Sequence, residues 1–122
     1  MEWAEELPEN CPPDDAAQPN SEAFYRLVDT SPPGEIDFHS PYRLSPKRKF
    51  SCACTSRALS IFVSDHYCNL LRKTPHFRGK LMIKIYLPQN SGVVKSTNPK
   101  TTHHEWWMAK GFDPTPHCSN CD

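Results

Sequence analysis

From Lys80 to Leu87, hydrophobic and polar positions alternate. Leu81, Ile83, Ile85 and Leu87 fall on one side, and Lys80, Met82, Lys84 and Tyr86 on the other. A period of two is that of a strand with one face toward a core. The run Ala23 to Asp29 is aromatic and β-prone, and it ends at the breaker Thr30-Ser31-Pro32-Pro33-Gly34. It predicts an earlier strand, with Phe24, Arg26 and Val28 on one face and Tyr25, Leu27 and Asp29 on the other. Leu59 to Val63 reads as a short buried strand, preceded by a possible helical stretch from Ala53. Val93 to Lys95 reads as a brief strand, and Thr102 to Ala109 as a longer one, ended by Lys110-Gly111.

One segment has a helical signature. Ser64 is a good N-cap, Asp65 suits the first turn, Arg72 and Lys73 suit the last, and Thr74-Pro75 stops the run. Tyr67, Leu70 and Leu71 are spaced to make its buried face. Residues 30–49 are expected to form a long loop closing on Lys47-Arg48-Lys49. The predicted fold class is α+β: a small, mostly antiparallel sheet with one or two short helices.

Three zones follow. Residues 1–22 hold Pro8, Pro12, Pro13 and Pro19 without an apolar period, and are expected to be a disordered acidic arm. Residues 23–113 form the single globular domain, and residues 114–122 a flexible tail containing Cys118 and Cys121. A length of 122 residues suits one modest core, and 13 Pro disfavour long helices.

Charge sharpens this division. The net charge is zero, yet residues 1–22 carry seven acids and no Lys or Arg, while the rest carries all 14 Lys and Arg against seven acids. A basic body favours an anionic partner: a nucleotide, an acidic protein surface or a nucleic acid. No apolar run approaches the roughly 20 residues that span a bilayer. The acidic start lacks the order of a signal peptide. A cytoplasmic protein with no membrane partner is therefore expected, with its six Cys as reduced thiols.

The densest chemistry lies in Thr102-His103-His104-Glu105-Trp106-Trp107. On a strand this run divides. His103, Glu105 and Trp107 share the face expected for chemistry or ligand contact, and His104, Trp106 and Met108 share the face expected to pack. His103, His104 and Glu105 cannot all bind one ion without a bulge, because adjacent side chains point apart. Cys52 and Cys54, with Cys118 and Cys121, are the candidate thiolates of a tetrahedral zinc site. That site needs both pairs to meet in space, and no metal is favoured. Lys47-Arg48-Lys49-Phe50 offers phosphate contact with stacking, without a named nucleic-acid motif.

The order of motifs resembles the ADP-ribosyltransferase-like fold. That family has an Arg or His after an aromatic on an early strand, then a Ser-containing strand followed by a helix. A Glu on a later loop or strand completes the set. Phe24-Tyr25-Arg26, Leu59-Ser60-Ile61-Phe62 and His103-x-Glu105 look like these elements, over about residues 23–113. Two positions depart from the pattern. Ala58-Leu59-Ser60 stands where the family has a Ser-Thr-Ser type element, and His103 stands where it often has Glu or Gln.

The resemblance implies an NAD-using effector or toxin. Arg26 would contact a phosphate or ribose of NAD, with Tyr25 and Trp107 beside the cofactor, and Ser60 would structure the pocket. Glu105, with His103 nearby, would polarise the ribose and stabilise oxocarbenium character as the nicotinamide bond breaks. Two alternatives come from other classes. One is a non-catalytic regulator or inhibitor that binds through the basic body, the acidic arm or an exposed Trp pair. The other is a metal-independent ribonuclease using His103 or His104 with Glu105 as acid and base.

Overall fold

The computed structural model describes all residues, 1–122. It contains six strands: β1 (Glu22–Val28), β2 (Leu59–Phe62), β3 (Leu81–Leu87), β4 (Gly92–Asn98), β5 (His103–Met108) and β6 (Cys118–Asn120). Two short helices, α1 (Pro41–Leu44) and α2 (Asp65–Leu71), complete the regular structure with several single 3-10 turns. The strands form one sheet in the order β4-β5-β2-β1-β3-β6, with every pairing antiparallel. The α+β class and the antiparallel sheet expected from the alternation are therefore present.

The strand patterns explain the two-sided burial. Phe24, Val28, Ile61, Ile83, Ile85, Leu87 and Trp106 form the main core on one face, closed by Phe38. On the other face α2 covers a smaller cluster of Phe62, Cys68 and Met82, with Tyr67 and Leu71 packed against it. Ser64 caps α2 by accepting from the His66 N–H at 3.2 Å. Cys68 is the fully buried residue of that helix, whereas Leu70 is 43% exposed. The expected helix over 53–59 shrinks to the turn Thr55–Arg57. The long loop 30–49 contains the turn Glu35–Phe38 and α1, whose Pro41 follows the capping residue Ser40.

Both chain ends are more ordered than their composition predicts. The N-terminal arm is held along the β4–β5 side of the sheet. Ala4 N–H donates to the Met108 carbonyl at 2.9 Å, and Lys110 N–H to the Glu2 carbonyl at 2.9 Å. Ala17 and Val94 exchange both main-chain bonds, at 3.0 and 2.8 Å. Cys11 is joined to Cys54 by a disulfide. This overturns the disordered arm and the expectation of six reduced thiols; Cys52, Cys68, Cys118 and Cys121 are free. The physical reason is that these ties are main-chain bonds and one covalent link. Neither requires the apolar periodicity that the arm lacks.

The segment 114–122, expected as a loose tail, supplies β6, which pairs Cys118 with Ile85 and Asn120 with Ile83. Asp122 completes the attachment by accepting from the Met82 N–H at 2.8 Å and from Arg72 at 2.9 Å. No helix is long and apolar enough to cross a membrane.

Candidate functional site

The site forms where the central sheet loses its main-chain pairing. β1 and β2 are adjacent but pair at a single position, Tyr25 with Phe62. Beyond it the Arg26 side chain does what a ladder would otherwise do. Its Nη1 donates to the Ser60 carbonyl at 2.7 Å. Its Nε and Nη2 donate to the Asp37 carbonyl at 3.2 and 2.8 Å. The guanidinium also lies 5.9 Å from the centre of the Phe38 ring. Burial pushes the Arg26 pKa down to about 10, opposed by the nearby Asp37 carboxylate, so the side chain stays charged at neutral pH. The Asp37 carboxylate is itself tied to Thr30 and to the Asp29 and Gly34 N–H groups, which fixes the turn that presents its carbonyl.

A cleft of about 390 Å³ opens at this split, lined by Arg26, Ser60 and His103 with Leu27, Leu44, Phe62 and Phe77 among its apolar walls. His103 reaches it from β5. Its Nε2 is 3.0 Å from the exposed Ser60 Oγ, and its Nδ1 is 2.5 Å from Thr97 Oγ1. Thr97 sits at the irregularity in the β4–β5 register between Ser96 and Asn98. Such a bulge re-aims a side chain, here onto the imidazole.

Thr97 Oγ1 also lies 3.4 Å from the His103 carbonyl. Burial lowers the His103 pKa from 6.5, and the neighbouring His104 adds to the effect, which favours the neutral imidazole. Thr97 Oγ1, the His103 imidazole and Ser60 Oγ are linked in one hydrogen-bonded chain.

Glu105 lies directly across from Ser60 on β5, and from Lys95 on β4. It therefore shares a sheet face with Ser60 and His103. It is not among the residues lining the cleft with Arg26. Its carboxyl is half-buried, and desolvation raises its pKa above 4.5 against the opposing pull of Lys95. The structure thus brings Arg26, Ser60 and His103 together and leaves Glu105, opposite Ser60 on β5, outside the cleft lining.

The other candidates separate. Tyr25 packs with the α2 cluster. Trp107, expected beside a cofactor, is buried, and its Nε1 donates to the Cys54 carbonyl at 3.1 Å. Trp106 is also buried and donates to the Ser91 carbonyl at 3.0 Å. Neither offers the exposed apolar patch that a Trp-based docking surface requires. His104 turns to the opposite face from His103, with its ring 5.5 Å from Phe24, so the two imidazoles do not act on one group. Cys54 is locked in the disulfide, and Cys118 lies on the far edge strand β6. The four candidate zinc thiols therefore do not meet, and no group of three or more His, Cys, Asp or Glu gathers elsewhere.

Three contributors carried no sequence signal of their own. Thr97 is one of many polar residues in its loop, and its role depends on a bulge. Asp37 acts through its main-chain carbonyl. His39 lines the same cleft, and its Nε2 is buried without a hydrogen-bond partner. Comparison with protein-family models, with curated proteins and with solved structures returned no match.

Proposed function

We propose that the chain is an ADP-ribosyltransferase-like domain that binds NAD in the cleft between β1 and β2 and breaks its nicotinamide bond. The observation that carries this reading is the convergence of Arg26 and Ser60 at the split, with the His103-x-Glu105 strand next to them. The three elements behind the family resemblance, on β1, β2 and β5, lie side by side in the sheet order β5-β2-β1.

In this reading the N–H groups of Arg26 that are not used on Asp37 and Ser60 meet a phosphate or ribose oxygen of the dinucleotide. Ser60 holds its place through Arg26 and His103. Glu105, half-buried on the same sheet face but outside the cleft lining, acts on the developing oxocarbenium through its field from the adjacent strand and not by contact. Neutral His103 accepts a proton from a hydroxyl in the Ser60 position or from the ribose itself. The reaction class is displacement at the anomeric carbon: the bond to nicotinamide breaks, and a bond to water or an acceptor forms.

The test is nicotinamide release from NAD by the purified protein, compared with Glu105→Gln and His103→Ala. Each substitution is expected to cut turnover by about 10²-fold or more. Unchanged release in Glu105→Gln sinks the reading. A non-catalytic binding module is the alternative. It is favoured by the excess of cations in the body, and it would be recognised by partner binding without NAD consumption.

A further inference from the structure

Between Asp37 and Glu105 the chain carries 12 Lys and Arg and one acid, Asp65. Besides the ion-paired Arg72 and Lys80, six of these cations belong to the two chain segments, 41–49 and 71–80, that supply cleft-lining side chains. One rim follows α1, whose Pro41 and Leu44 line the cleft; this segment carries Lys47, Arg48 and Lys49, and also Arg43, which borders the neighbouring hollows beside the arm. The other rim surrounds the turn Pro75–Phe77 and carries Lys73 and Arg78; Leu71, Phe77 and Lys80 line the cleft from that side. All six rim cations are exposed.

None of the six has an ion pair. The four salt bridges of the protein use Arg72, Lys80, Lys95 and Lys110. The acidic arm does not cover the rims either. Its Glu2 and Asp15 pair with Lys110 and Lys95, away from the cleft. Its Glu5 is bound to Ser40 at 2.9 Å and reaches the field of Arg43 alone among the six. Like charges without ion pairs, carried by segments that line one depression, raise the local potential and concentrate anions there.

The floor between the rims is apolar. Leu44, 56% exposed, and Phe77 stand at the surface, with Leu59 and Phe62 deeper. Cationic rims with an aromatic and aliphatic floor match a chain that carries phosphates on its outside and flat bases within reach of the floor. A duplex has its bases stacked away from such a floor, and an acidic peptide has no base to place on it.

We propose that the two rims hold the backbone of a single-stranded nucleic acid laid across the cleft, with a base against Phe77 and Leu44. Its use as the acceptor of an ADP-ribosyl group rests on the function proposed above; its binding does not.

The experiment is fluorescence anisotropy of a labelled single-stranded oligonucleotide, without NAD, over a salt series. A duplex of the same sequence and poly-glutamate serve as competitors. K47E/R48E/K49E and, separately, K73E/R78E remove exposed charges that no ion pair uses; of these only Arg48 packs on a neighbour, with its guanidinium 5.2 Å from the centre of the Phe50 ring. Each is expected to weaken binding roughly tenfold or more and to flatten the salt dependence by roughly 0.7 in log–log slope for each phosphate left unneutralised. Phe77→Ala is expected to weaken single-strand binding without changing that slope. The proposal is overturned if the wild type fails to bind at low salt, if both charge variants bind like wild type, or if duplex or poly-glutamate competes as well as the single strand. Nicotinamide release, measured separately without oligonucleotide, reports on the transferase reading alone.

Discussion

The Ser60 hydroxyl and the His103 imidazole meet at 3.0 Å across the β2–β5 ladder, and Thr97 holds the far side of the ring. The pair exists because β5 turns His103 to the face of Ser60 and Phe62, while His104 faces the main core.

Burial that lowers the His103 pKa from 6.5 makes stability depend on pH. The unfolded chain takes up this proton near 6.5, whereas the folded chain does so at lower pH. Stability is therefore lost as pH falls through 6.5 toward the folded value, and is retained above it. His103→Gln removes the effect. Its Tm is expected to fall less than that of wild type between pH 7 and pH 5. Equal losses in thermal melts over that range would show that His103 does not titrate as its burial requires.

Glu105 gives the opposite sign. Its folded pKa is raised above 4.5 by desolvation, so it weakens the fold as pH rises through the folded value and the carboxylate ionises. Its nearest cation, Lys95, is engaged by Asp15 at 3.2 Å. Glu105→Gln is expected to raise Tm at pH 7 and to leave it unchanged well below pH 4.5, while NAD turnover falls. A Tm at pH 7 equal to or below that of wild type refutes this account. Stability gained with activity lost is the pattern of a carboxylate kept for chemistry.

How far the sequence discloses this arrangement depends on what each residue uses. The alternation over 81–87 forces Ile83, Ile85 and Leu87 into the core, and the Ser64 cap starts α2; both are local patterns. The split face of 103–108 is legible for the same reason, although the burial of Trp107 is not. Its face is covered by the arm, with Trp3 and Leu7 against it. No period in residues 1–22 announces that packing, because main-chain bonds and the Cys11–Cys54 link make it. Arg26 is identifiable as a candidate, but its anchors are carbonyls of Asp37 and Ser60, which every residue type carries. Glu105 stands out in composition yet lies beside the cleft, because alternation fixes the face of a side chain and not its distance from a hollow.

Arg26 joins Asp37 on one side to Ser60 on the other through a planar, forked group. Lys has one compact donor head and cannot serve both carbonyls at once. Arg26→Lys is expected to destabilise the protein by about 2–3 kcal/mol, since a hydrogen bond to a charged group disappears and a carbonyl is left dry. The drop will appear as a lower urea midpoint with an unchanged slope. A midpoint within error of wild type would mean that the split between β1 and β2 holds without the guanidinium.

Gly92 opens β4 with φ at +132°, a region that side chains rarely adopt, and pairs with Met108. A Cβ there would overlap the Trp107 carbonyl. Gly92→Ala is expected to cost more than about 2 kcal/mol from strain and displaced backbone. The damage should fall on the β4–β5 pair, and hence on the Thr97–His103 hydrogen bond. Intrinsic Trp fluorescence should shift to the red as Trp106 and Trp107 meet water. An unchanged spectrum and Tm would contradict this.

The Cys11–Cys54 disulfide closes a loop with a sequence separation of 43. Loop-closure entropy for that length amounts to about 4 kcal/mol. Reduction, or the double change Cys11→Ser and Cys54→Ser, is therefore expected to lower Tm markedly. The loss should be uneven. The arm has main-chain bonds at Ala4 and Ala17 but few buried side chains, so those amides should exchange freely once the covalent tie is gone. The amides of Ile83 and Ile85, in the centre of the core, should stay protected until global unfolding. Hydrogen exchange with and without reductant separates the outcomes. If Ala4 and Ala17 remain as protected in the reduced protein, the strand-like bonds alone hold the arm and the disulfide is redundant to it.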